Sequence, residues 1–290
     1  MKRAIGYVLA VLGAMALVGL VLLWRQLPAL GAGGLLHPGR HVTTLAPPEH
    51  CVAGEFAGAG VTLKGWRCHA AAPVRGTIVY LHGIADNRSS ATGVIQRFVA
   101  RGFNVIAYDS RAHGDSQGDA CTYGFFEKQD LHRVIDTAGP GPVILIGTSL
   151  GAAVALQEAA DDRRVSAVVA AETFSDLRTV ATERAPRFFT AGVIDRAFDV
   201  AGAEGHFRVD EVQPQQSAQR ITAPVLIIHG AADIETPPAH SQRVYDALRG
   251  PKRLILVPGA GHNGSLRSDV WKQIEAWIDE VLPVRVVPSA

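Results

Sequence analysis

Hydrophobic and polar positions follow two different periods along this chain, and the two periods alternate from about residue 55 onward. Short apolar runs of the kind found in buried strands are separated by longer stretches whose apolar residues recur at helical spacing. The predicted strands lie near residues 61–69, 77–82, 104–109, 143–147, 165–172, 225–229 and 253–257. This alternation is typical of βαβ units, and it predicts the α/β class with a mostly parallel, twisted sheet that has helices on both faces.

Amphipathic helices are predicted between several of these strands. Apolar residues at helical spacing mark residues 91–101, 125–137 and 268–282. The last of these has the clearest pattern, because one face of the helix carries Val270, Trp271, Ile274, Trp277 and Ile278. We therefore expect the chain to end its fold on a helix that packs against the sheet.

The alternation stops between residues 173 and 220. This stretch is rich in aromatic residues, and five of the ten Phe of the chain lie in it, namely Phe174, Phe188, Phe189, Phe198 and Phe207. We interpret residues 174–220 as a small cap inserted over the carboxyl edge of the sheet, and we call them the cap segment. One crossover helix followed by a long loop is the alternative, although structureless stretches of that length are uncommon.

An uncharged stretch lies near the N-terminus. Ala4–Trp24 contains 21 residues without a charge, and as a helix it would be about 31 Å long, enough to cross a bilayer core. Lys2 and Arg3 precede it, and Arg25 follows it. The positive-inside rule then places the N-terminus in the cytoplasm and the rest of the chain in an extracytoplasmic compartment. Residues 1–25 are thus predicted to be a single-pass transmembrane anchor.

A cleaved signal peptide is the alternative, with secretion as its consequence. Ala29-Leu30-Gly31 offers small residues at a plausible cleavage site. The apolar run is longer than the usual apolar region of a signal peptide, which favours the anchor. After it, residues 26–54 are rich in Pro and Gly and are predicted to be a linker, and residues 55–283 are predicted to be the folded domain.

Charge is nearly balanced, with 28 Lys and Arg against 27 Asp and Glu and a formal charge of +1. The first 25 residues hold three basic side chains and no acidic one, so the remainder has 25 basic against 27 acidic side chains. Domains that bind nucleic acid usually carry a basic surplus, which this remainder lacks. We therefore expect no nucleic-acid partner.

The chain has three cysteines, Cys51, Cys68 and Cys121. In an oxidising compartment one pair could form a disulfide, and Cys51 with Cys68 is the most local choice. Cys68 could equally be a small buried apolar residue within its strand. No cysteine or histidine cluster has the spacing of metal ligands, so we expect neither a metal nor a cofactor.

The segment Gly147-Thr148-Ser149-Leu150-Gly151 matches the pattern GxSxG between a predicted strand and an Ala-rich helix. A turn this sharp exposes the central serine at the edge of the sheet. Gly147 and Gly151 fit here for a steric reason, because the strand and the new helix approach too closely for a Cβ atom. We predict Ser149 to be a nucleophile.

A serine hydroxyl needs a base and an orienting acid to become nucleophilic. Asp233 lies in the loop after the strand near 225–229, and His262 lies in the loop after the strand near 253–257. We predict these two residues to be the acid and the base, because the chain order Ser, Asp, His is typical of one class of hydrolases. Glu172, at the end of another strand, is the competing acid.

Acyl transfer also needs hydrogen-bond donors for the developing oxyanion. The backbone N–H groups of Ile84 and Leu150 are the predicted donors. His82 is interpreted as a structural residue. Three further polar residues, Arg111, His113 and Asp115, are expected to organise their loop, because they lack the spacing of metal ligands.

These motifs resemble the α/β-hydrolase superfamily over about Thr62–Leu282. The pattern HGxxxN after the third strand, GTSLG at the turn, PVLIIHGAAD before the acid and GHN at the base is most similar to single-domain abhydrolase-type serine hydrolases. The stretch DSRAHGDS resembles that superfamily's DxRGxGxS loop, with Ala112 in place of a Gly. The resemblance implies an α/β-hydrolase fold, and membrane-anchored members of that group include acyl-protein and lipid thioesterases or esterases.

The expected function is hydrolysis of carboxylic esters or thioesters by a membrane-tethered serine hydrolase through an acyl-enzyme intermediate. The substrate would be a small or lipid-like acyl compound. The alternatives are a peptidase or an acyltransferase that uses the same three residues, and an inert binding protein that retains the fold.

Overall fold

Eight strands form one sheet at the centre of the protein, and the computed structural model describes them within residues 2–283. Met1, the first residue of the predicted anchor, lies outside the described residues, as do residues 284–290. The strands are β1 (Cys51–Ala57), β2 (Thr62–Cys68), β3 (Gly76–Leu81), β4 (Phe103–Tyr108), β5 (Val143–Thr148), β6 (Val165–Ala171), β7 (Val225–Gly230) and β8 (Lys252–Val257).

The spatial order of the sheet is β1-β2-β4-β3-β5-β6-β7-β8. The pairs from β4 to β8 are parallel, whereas β2 pairs antiparallel with both β1 and β4. Strands β3 and β7 are buried along their whole length, which is why they read as continuous apolar runs in the sequence. The predicted mostly parallel sheet of an α/β-hydrolase fold is thus confirmed.

The helices are α1 (Lys2–Leu36), α2 (Thr92–Val99), α3 (Glu127–Ile135), α4 (Leu150–Ala159), α5 (Leu177–Arg184), α6 (Ala191–Glu204), α7 (Pro214–Ala218), α8 (Ala239–Ala247) and α9 (Ser268–Val281). Apolar faces of α2 and α9 pack on one side of the sheet, and those of α3, α4 and α8 pack on the other. Two apolar cores result, with the sheet between them.

The predicted linker over residues 26–54 is wrong at both ends. Helix α1 continues to Leu36, past Pro28, because Ala32 and Leu36 are fully buried against the domain and this packing offsets a helix-breaking sequence. Strand β1 begins at Cys51, where the sequence pattern is weak because Phe56 is its only buried residue. Only residues 37–50 of the predicted linker lack regular structure.

The first part of α1 has a very different environment from its end. All side chains described between residues 5 and 24 are exposed, large apolar ones included. The helix is long and apolar enough to cross a membrane, a property that signal sequences share. Further along, α1 packs instead against α6, where Gly31 approaches Ala197.

A disulfide joins Cys51 to Cys68, which are directly opposite each other in the β1–β2 pair. It ties the edge strand β1 to the rest of the sheet. Cys121 is a free, buried thiol, and burial raises its pKa well above the ordinary value.

The cap segment lies between β6 and β7 and contains α5, α6 and α7. It is therefore richer in helix than a single crossover helix with a long loop. Phe174, Phe198 and Phe207 are buried in the same apolar core as α3 and α4. The cap segment thereby continues the packing of that side of the sheet.

Candidate active site

Ser149 is the only residue between β5, which ends at Thr148, and α4, which begins at Leu150. Its backbone angles of φ 49° and ψ −111° lie in a region that non-glycine residues rarely adopt. A Cβ atom on Gly147 would approach the Gly151 carbonyl to 2.4 Å, and one on Gly151 would approach the Leu81 carbonyl oxygen to 2.2 Å. The close packing predicted around this turn is therefore present.

His262 follows β8 and faces Ser149. The Ser149 hydroxyl donates to His262 Nε2 at 3.1 Å, and His262 Nδ1–H donates to Asp233 Oδ2 at 2.7 Å. The carboxylate accepts only from a protonated Nδ1, which leaves the Nε2 lone pair directed at the hydroxyl. The structure thus brings the three predicted residues into one hydrogen-bonded chain.

Asp233 is held in the loop after β7 by its own backbone neighbours. Its Oδ1 accepts from the N–H groups of Glu235 and Thr236, each at 2.9 Å. Burial would raise the pKa of Asp233, but the hydrogen bonds from Thr236 and His262 outweigh it and keep the pKa below the ordinary value. The carboxylate is therefore charged when it accepts from His262.

His229 is a fully buried neighbour of Asp233 that the sequence analysis missed. Its Nε2 lies 2.8 Å from the Thr236 carbonyl oxygen and 3.2 Å from Asp233 Oδ2, while its Nδ1 lies 2.6 Å from the Ser241 hydroxyl. These contacts fix the loop that carries the carboxylate. A histidine inside a strand of apolar residues is the signal that could have identified it.

Glu172, the competing acid, does not contact His262 through its carboxylate. Instead, Oε2 accepts from Asn263 N–H at 2.6 Å and Oε1 accepts from Ser265 N–H at 3.0 Å. Glu172 is itself buried and has a positive φ of 57°. Its carboxylate thus holds the loop of His262 through two backbone N–H groups.

The N–H groups of Ile84 and Leu150 lie at a topological switch point of the sheet. Strand β3 is followed by α2 on one face and β5 by α4 on the other, so a crevice opens between the carboxyl ends of the two strands. Ile84, Ser149 and Leu150 all line the cavity at this crevice. Within residues 2–283, neither N–H group has a hydrogen-bond partner, as a pair of donors for an oxyanion requires.

His82 is hydrogen-bonded to the residue before Ile84 and to the loop after β4. The N–H of Ser110 donates to His82 Nε2 at 2.9 Å, so Nδ1 carries the proton and donates to the Gly83 carbonyl oxygen at 2.7 Å. Burial lowers the pKa of His82, which keeps the imidazole neutral. These contacts agree with the structural interpretation of this residue.

The polar residues of the 109–118 loop contact other parts of the fold. Arg111 pairs with Asp130 through two hydrogen bonds of 2.7 Å, and Asp115 pairs with Arg88 at 2.9 Å. His113 Nδ1 lies 2.8 Å from the Arg111 carbonyl oxygen. Ala112 has a φ of 60°, so it takes the left-handed backbone that a Gly at this position would favour.

A cavity of about 550 Å³ extends from Ser149 between the sheet edge and the cap segment. Its walls are almost entirely apolar. Four of the five cap-segment Phe residues line it, together with aliphatic residues from α5 and α6, and these aromatic residues are Phe174, Phe188, Phe189 and Phe198. Arg184 is the only charged lining residue, and its Nε donates to the Glu235 carbonyl oxygen at 2.8 Å.

The remaining wall comes from the end of α1, which the sequence analysis had assigned to a linker. Leu27, Leu30, Gly31, Gly34 and Leu35 line the cavity. Their spacing of three and four residues was visible in the sequence. The interruptions by Pro28 and the glycines obscured it.

Potential metal ligands come together at one place among the described residues, away from the cavity. His132, Glu158 and Asp162 bring ligand atoms within 4.8 Å of one another. Arg164 already occupies this cluster, with its Nη2 at 2.6 Å from Asp162. Burial raises the pKa of Glu158 to about 7. Ion pairing accounts for the arrangement.

Comparisons with known proteins agree with this fold. The profile of the "Alpha/beta hydrolase family" matches residues 78–274. The chain is 29% identical over 238 residues to the protein YqkD of Bacillus subtilis (strain 168), a match that covers 77% of each chain.

Two solved structures are similar in fold. The Pyrococcus furiosus esterase Pf2001 matches with a TM-score of 0.68 at 21% identity, over 85% of this chain and 98% of the esterase. The Pyrococcus horikoshii acylaminoacyl peptidase matches with a TM-score of 0.65 at 17% identity, over 80% of this chain and 41% of the peptidase. At these identities, the two structures inform only about the fold.

Proposed function

The chain belongs to the alpha/beta hydrolase family, and from this premise we propose that it is a serine hydrolase that cleaves carboxylic esters or thioesters. Ser149 is the proposed nucleophile, His262 the general base and Asp233 the residue that orients the base. The observation that carries this proposal is the hydrogen-bonded chain through these three residues, whose serine lines an apolar cavity.

In the first half of the reaction, His262 Nε2 takes the hydroxyl proton as Ser149 Oγ bonds to the acyl carbonyl carbon. The N–H groups of Ile84 and Leu150 donate to the oxyanion that forms. Asp233 stabilises the imidazolium through Nδ1–H. When the intermediate collapses, the bond to the leaving oxygen or sulfur breaks and His262 passes its proton to the alcohol or thiol.

In the second half, water replaces the leaving group. His262 takes a proton from the water as its oxygen attacks the acyl-enzyme carbonyl carbon, and the same N–H groups stabilise the second oxyanion. The bond to Ser149 Oγ then breaks and His262 passes its proton to Oγ, which releases the carboxylic acid and restores the hydroxyl. The charged, hydrogen-bonded state of Asp233 supports this cycle, because it keeps His262 in the tautomer that accepts at Nε2.

The apolar walls of the cavity favour an acyl group over a charged or sugar-like group as the part of the substrate that is recognised. Arg184 does not alter this, because its guanidinium is engaged by the loop after Asp233. We therefore propose a hydrocarbon-bearing substrate. The proposed reaction steps use neither a metal nor a cofactor.

We further propose that residues 4–24 of α1 anchor the protein in a membrane with the N-terminus in the cytoplasm. The exposed apolar surface of this part of the helix supports an anchor, since water is a poor solvent for it. The domain would then lie in an extracytoplasmic compartment, where a disulfide such as Cys51–Cys68 persists.

Labelling with a fluorophosphonate tests the assignment of the nucleophile. We expect the probe to modify Ser149, and we expect Ser149→Ala to lose labelling and to reduce ester hydrolysis by about 10³-fold or more. Ser166→Ala is the matched control, because Ser166 lies on neighbouring β6 away from the cavity lining. Hydrolysis by Ser149→Ala at the wild-type rate, or labelling at another serine, would show the proposal to be wrong.

A further inference from the structure

The helix that carries the proposed anchor also forms one wall of the cavity beside Ser149. The lining residues are Leu27, Leu30, Gly31, Gly34 and Leu35. Residues separated by three or four positions share a face of a helix, so these five form one continuous stripe. We call them the α1 stripe. Among the α1 residues that the structure describes, no others line this cavity.

The end of α1 is fixed to the domain, so the α1 stripe is a constant part of the cavity. Tyr123, itself a lining residue, donates its hydroxyl to the Leu35 carbonyl oxygen at 3.0 Å, and Cys121 N–H donates to the Leu36 carbonyl oxygen at 2.8 Å. These bonds satisfy carbonyl groups that a helix end leaves without an intrahelical partner. Ala32 and Leu36 are buried at the same place.

The α1 stripe begins close to the proposed membrane boundary. Leu27 follows Trp24 by three residues, which is a rise of about 4.5 Å along the helix. Tryptophan is one of the residues enriched at such a boundary. The cavity therefore extends from Ser149 to the first turn of α1 beyond the bilayer.

Two apolar side chains at the cavity are also open to solvent. Leu30 on the α1 stripe is 61% exposed and Phe188, between α5 and α6, is 64% exposed. Phe188 packs edge to face on Phe189, which approaches Gly31 across the cavity wall. An opening with apolar rims beside a membrane helix suits a hydrocarbon chain better than a polar ligand.

We propose that the substrate is an acyl lipid of the bilayer, that its hydrocarbon chain lies along the α1 stripe, and that Gly34 determines how long a chain fits. This inference rests on the proposed function and narrows its substrate class. The chain leaves the bilayer beside Leu27 and Leu30, and its carbonyl carbon reaches Ser149 at the other end of the cavity.

Adjacent glycines in α1 provide a matched pair of variants. A Cβ atom on Gly34 would meet nothing within 4 Å, and Gly34 lines the cavity, so this position of the cavity wall has room for a larger side chain. A Cβ atom on Gly33 also meets nothing within 4 Å, but Gly33 is not a lining residue. Leucine favours a helix over glycine at both positions, so both variants should fold.

The experiment uses the full chain in detergent micelles and two fluorophosphonates, one with an ethyl chain and one with a hexadecyl chain. We expect Gly34→Leu to lower the labelling rate for the hexadecyl probe relative to the ethyl probe by about 10- to 200-fold. Gly33→Leu should retain the wild-type ratio within about twofold.

Other results would overturn the inference. An unchanged ratio in Gly34→Leu would show that the chain does not lie along the α1 stripe, and the proposed function would remain. An equal loss with both probes would show a general defect of the site instead of a limit on chain length. If neither probe labels the wild-type protein, the proposed function fails as well.

Reconstitution in phosphatidylcholine vesicles tests the route from the bilayer. We expect Phe188→Asp to reduce hydrolysis of a palmitoyl ester held in the vesicles by about tenfold or more, and to reduce it more than hydrolysis of the same ester presented in detergent micelles. Val52→Asp, at an exposed position on β1, is the control. Equal rates of palmitoyl ester hydrolysis in the two variants would contradict a bilayer route past Phe188.

Discussion

Glu172 holds the backbone beside the proposed base: its Oε2 accepts a hydrogen bond of 2.6 Å from the N–H of Asn263, the residue after His262. Its other oxygen accepts from Ser265 N–H at 3.0 Å. One buried carboxylate thus satisfies two donors of a loop that could otherwise adopt several positions. Asp233 accepts the hydrogen bond from His262, whereas Glu172 holds the loop in which His262 lies.

Replacement of Glu172 should therefore impair catalysis without removing a reacting group. We expect Glu172→Ala to lower kcat by about tenfold or more and to cost about 1–3 kcal/mol of stability, because two N–H groups lose their acceptor. Glu172→Gln keeps one acceptor oxygen and should retain more activity than the alanine variant. Kinetics with a short-chain ester and thermal unfolding measure the two effects.

Glu158→Gln is a suitable control for these variants. Glu158 is also a buried glutamate, but it contacts His132 on α3 and does not line the cavity. Its replacement should leave kcat within about twofold of wild type. If Glu172→Ala were as active as this control, the positioning role of Glu172 would be refuted.

Replacement of Asp233 by Asn should reduce kcat by about 10⁴-fold. An amide at this position can donate to Nδ1 of His262, which would transfer the imidazole proton to Nε2 and remove the lone pair that faces Ser149. KM should change much less, because Asp233 does not line the cavity. Steady-state kinetics test this, and a loss of less than about tenfold would argue that Asp233 does not orient the base.

The sequence pattern was most informative at positions where the local geometry allows only one type of residue. The turn at Ser149 needed Gly147 and Gly151, and the long apolar runs of β3 and β7 required burial on both faces. The pattern was least informative at α1 and β1. The deciding contacts of α1 come from α6, which is remote in sequence, and β1 is held by its pairing with β2 although its own residues are mostly not buried.

The same limit applies to the second layer of the site. His229 and the carboxylate contacts of Glu172 depend on how the loops after β7 and β8 fold back on the ends of β6 and β7. Periodicity cannot supply such contacts, because it describes only one element at a time. Chain order predicted Ser149, Asp233 and His262 as a group, whereas the residues that contact them became visible only in three dimensions.

Protonation of His113 should weaken the fold at acidic pH. Burial lowers the pKa of His113 to about 4, helped by electrostatic repulsion from neighbouring His82 and Arg40 and opposed by the Arg111 carbonyl and by Glu127. Among the described residues, its Nε2 has no hydrogen-bond partner, so a proton there would bring an uncompensated charge into the core.

The sign of the effect follows from proton uptake. Between about pH 6.5 and pH 4, the unfolded chain binds a proton that the folded protein does not, so the free energy of unfolding falls as the pH decreases through this window. By pH 4, proton uptake at His113 has lowered the free energy of unfolding by about 3 kcal/mol. Above about pH 6.5, the effect of His113 on the free energy of unfolding no longer changes with pH.

Denaturation with urea at pH 7 and at pH 4.5 measures this contribution. The His113→Gln variant should lose less stability than wild type between the two pH values, whereas His69→Gln, at an exposed position, should behave as wild type. Equal losses in wild type and His113→Gln would show that His113 is not the group responsible.

The last prediction concerns the N-terminus of the mature protein. Cleavage after Gly31 would remove three residues of the α1 stripe, Leu27, Leu30 and Gly31, and would open the cavity beside Ser149. We therefore expect the active protein to retain α1. Mass spectrometry of protein extracted from membranes should find peptides that include residues 26–31, and a mature chain that starts at residue 32 should lose its preference for long acyl chains. A chain processed at residue 31 that still hydrolyses palmitoyl esters at the wild-type rate would contradict both the anchor and the role of the α1 stripe, because one helix is proposed to provide both.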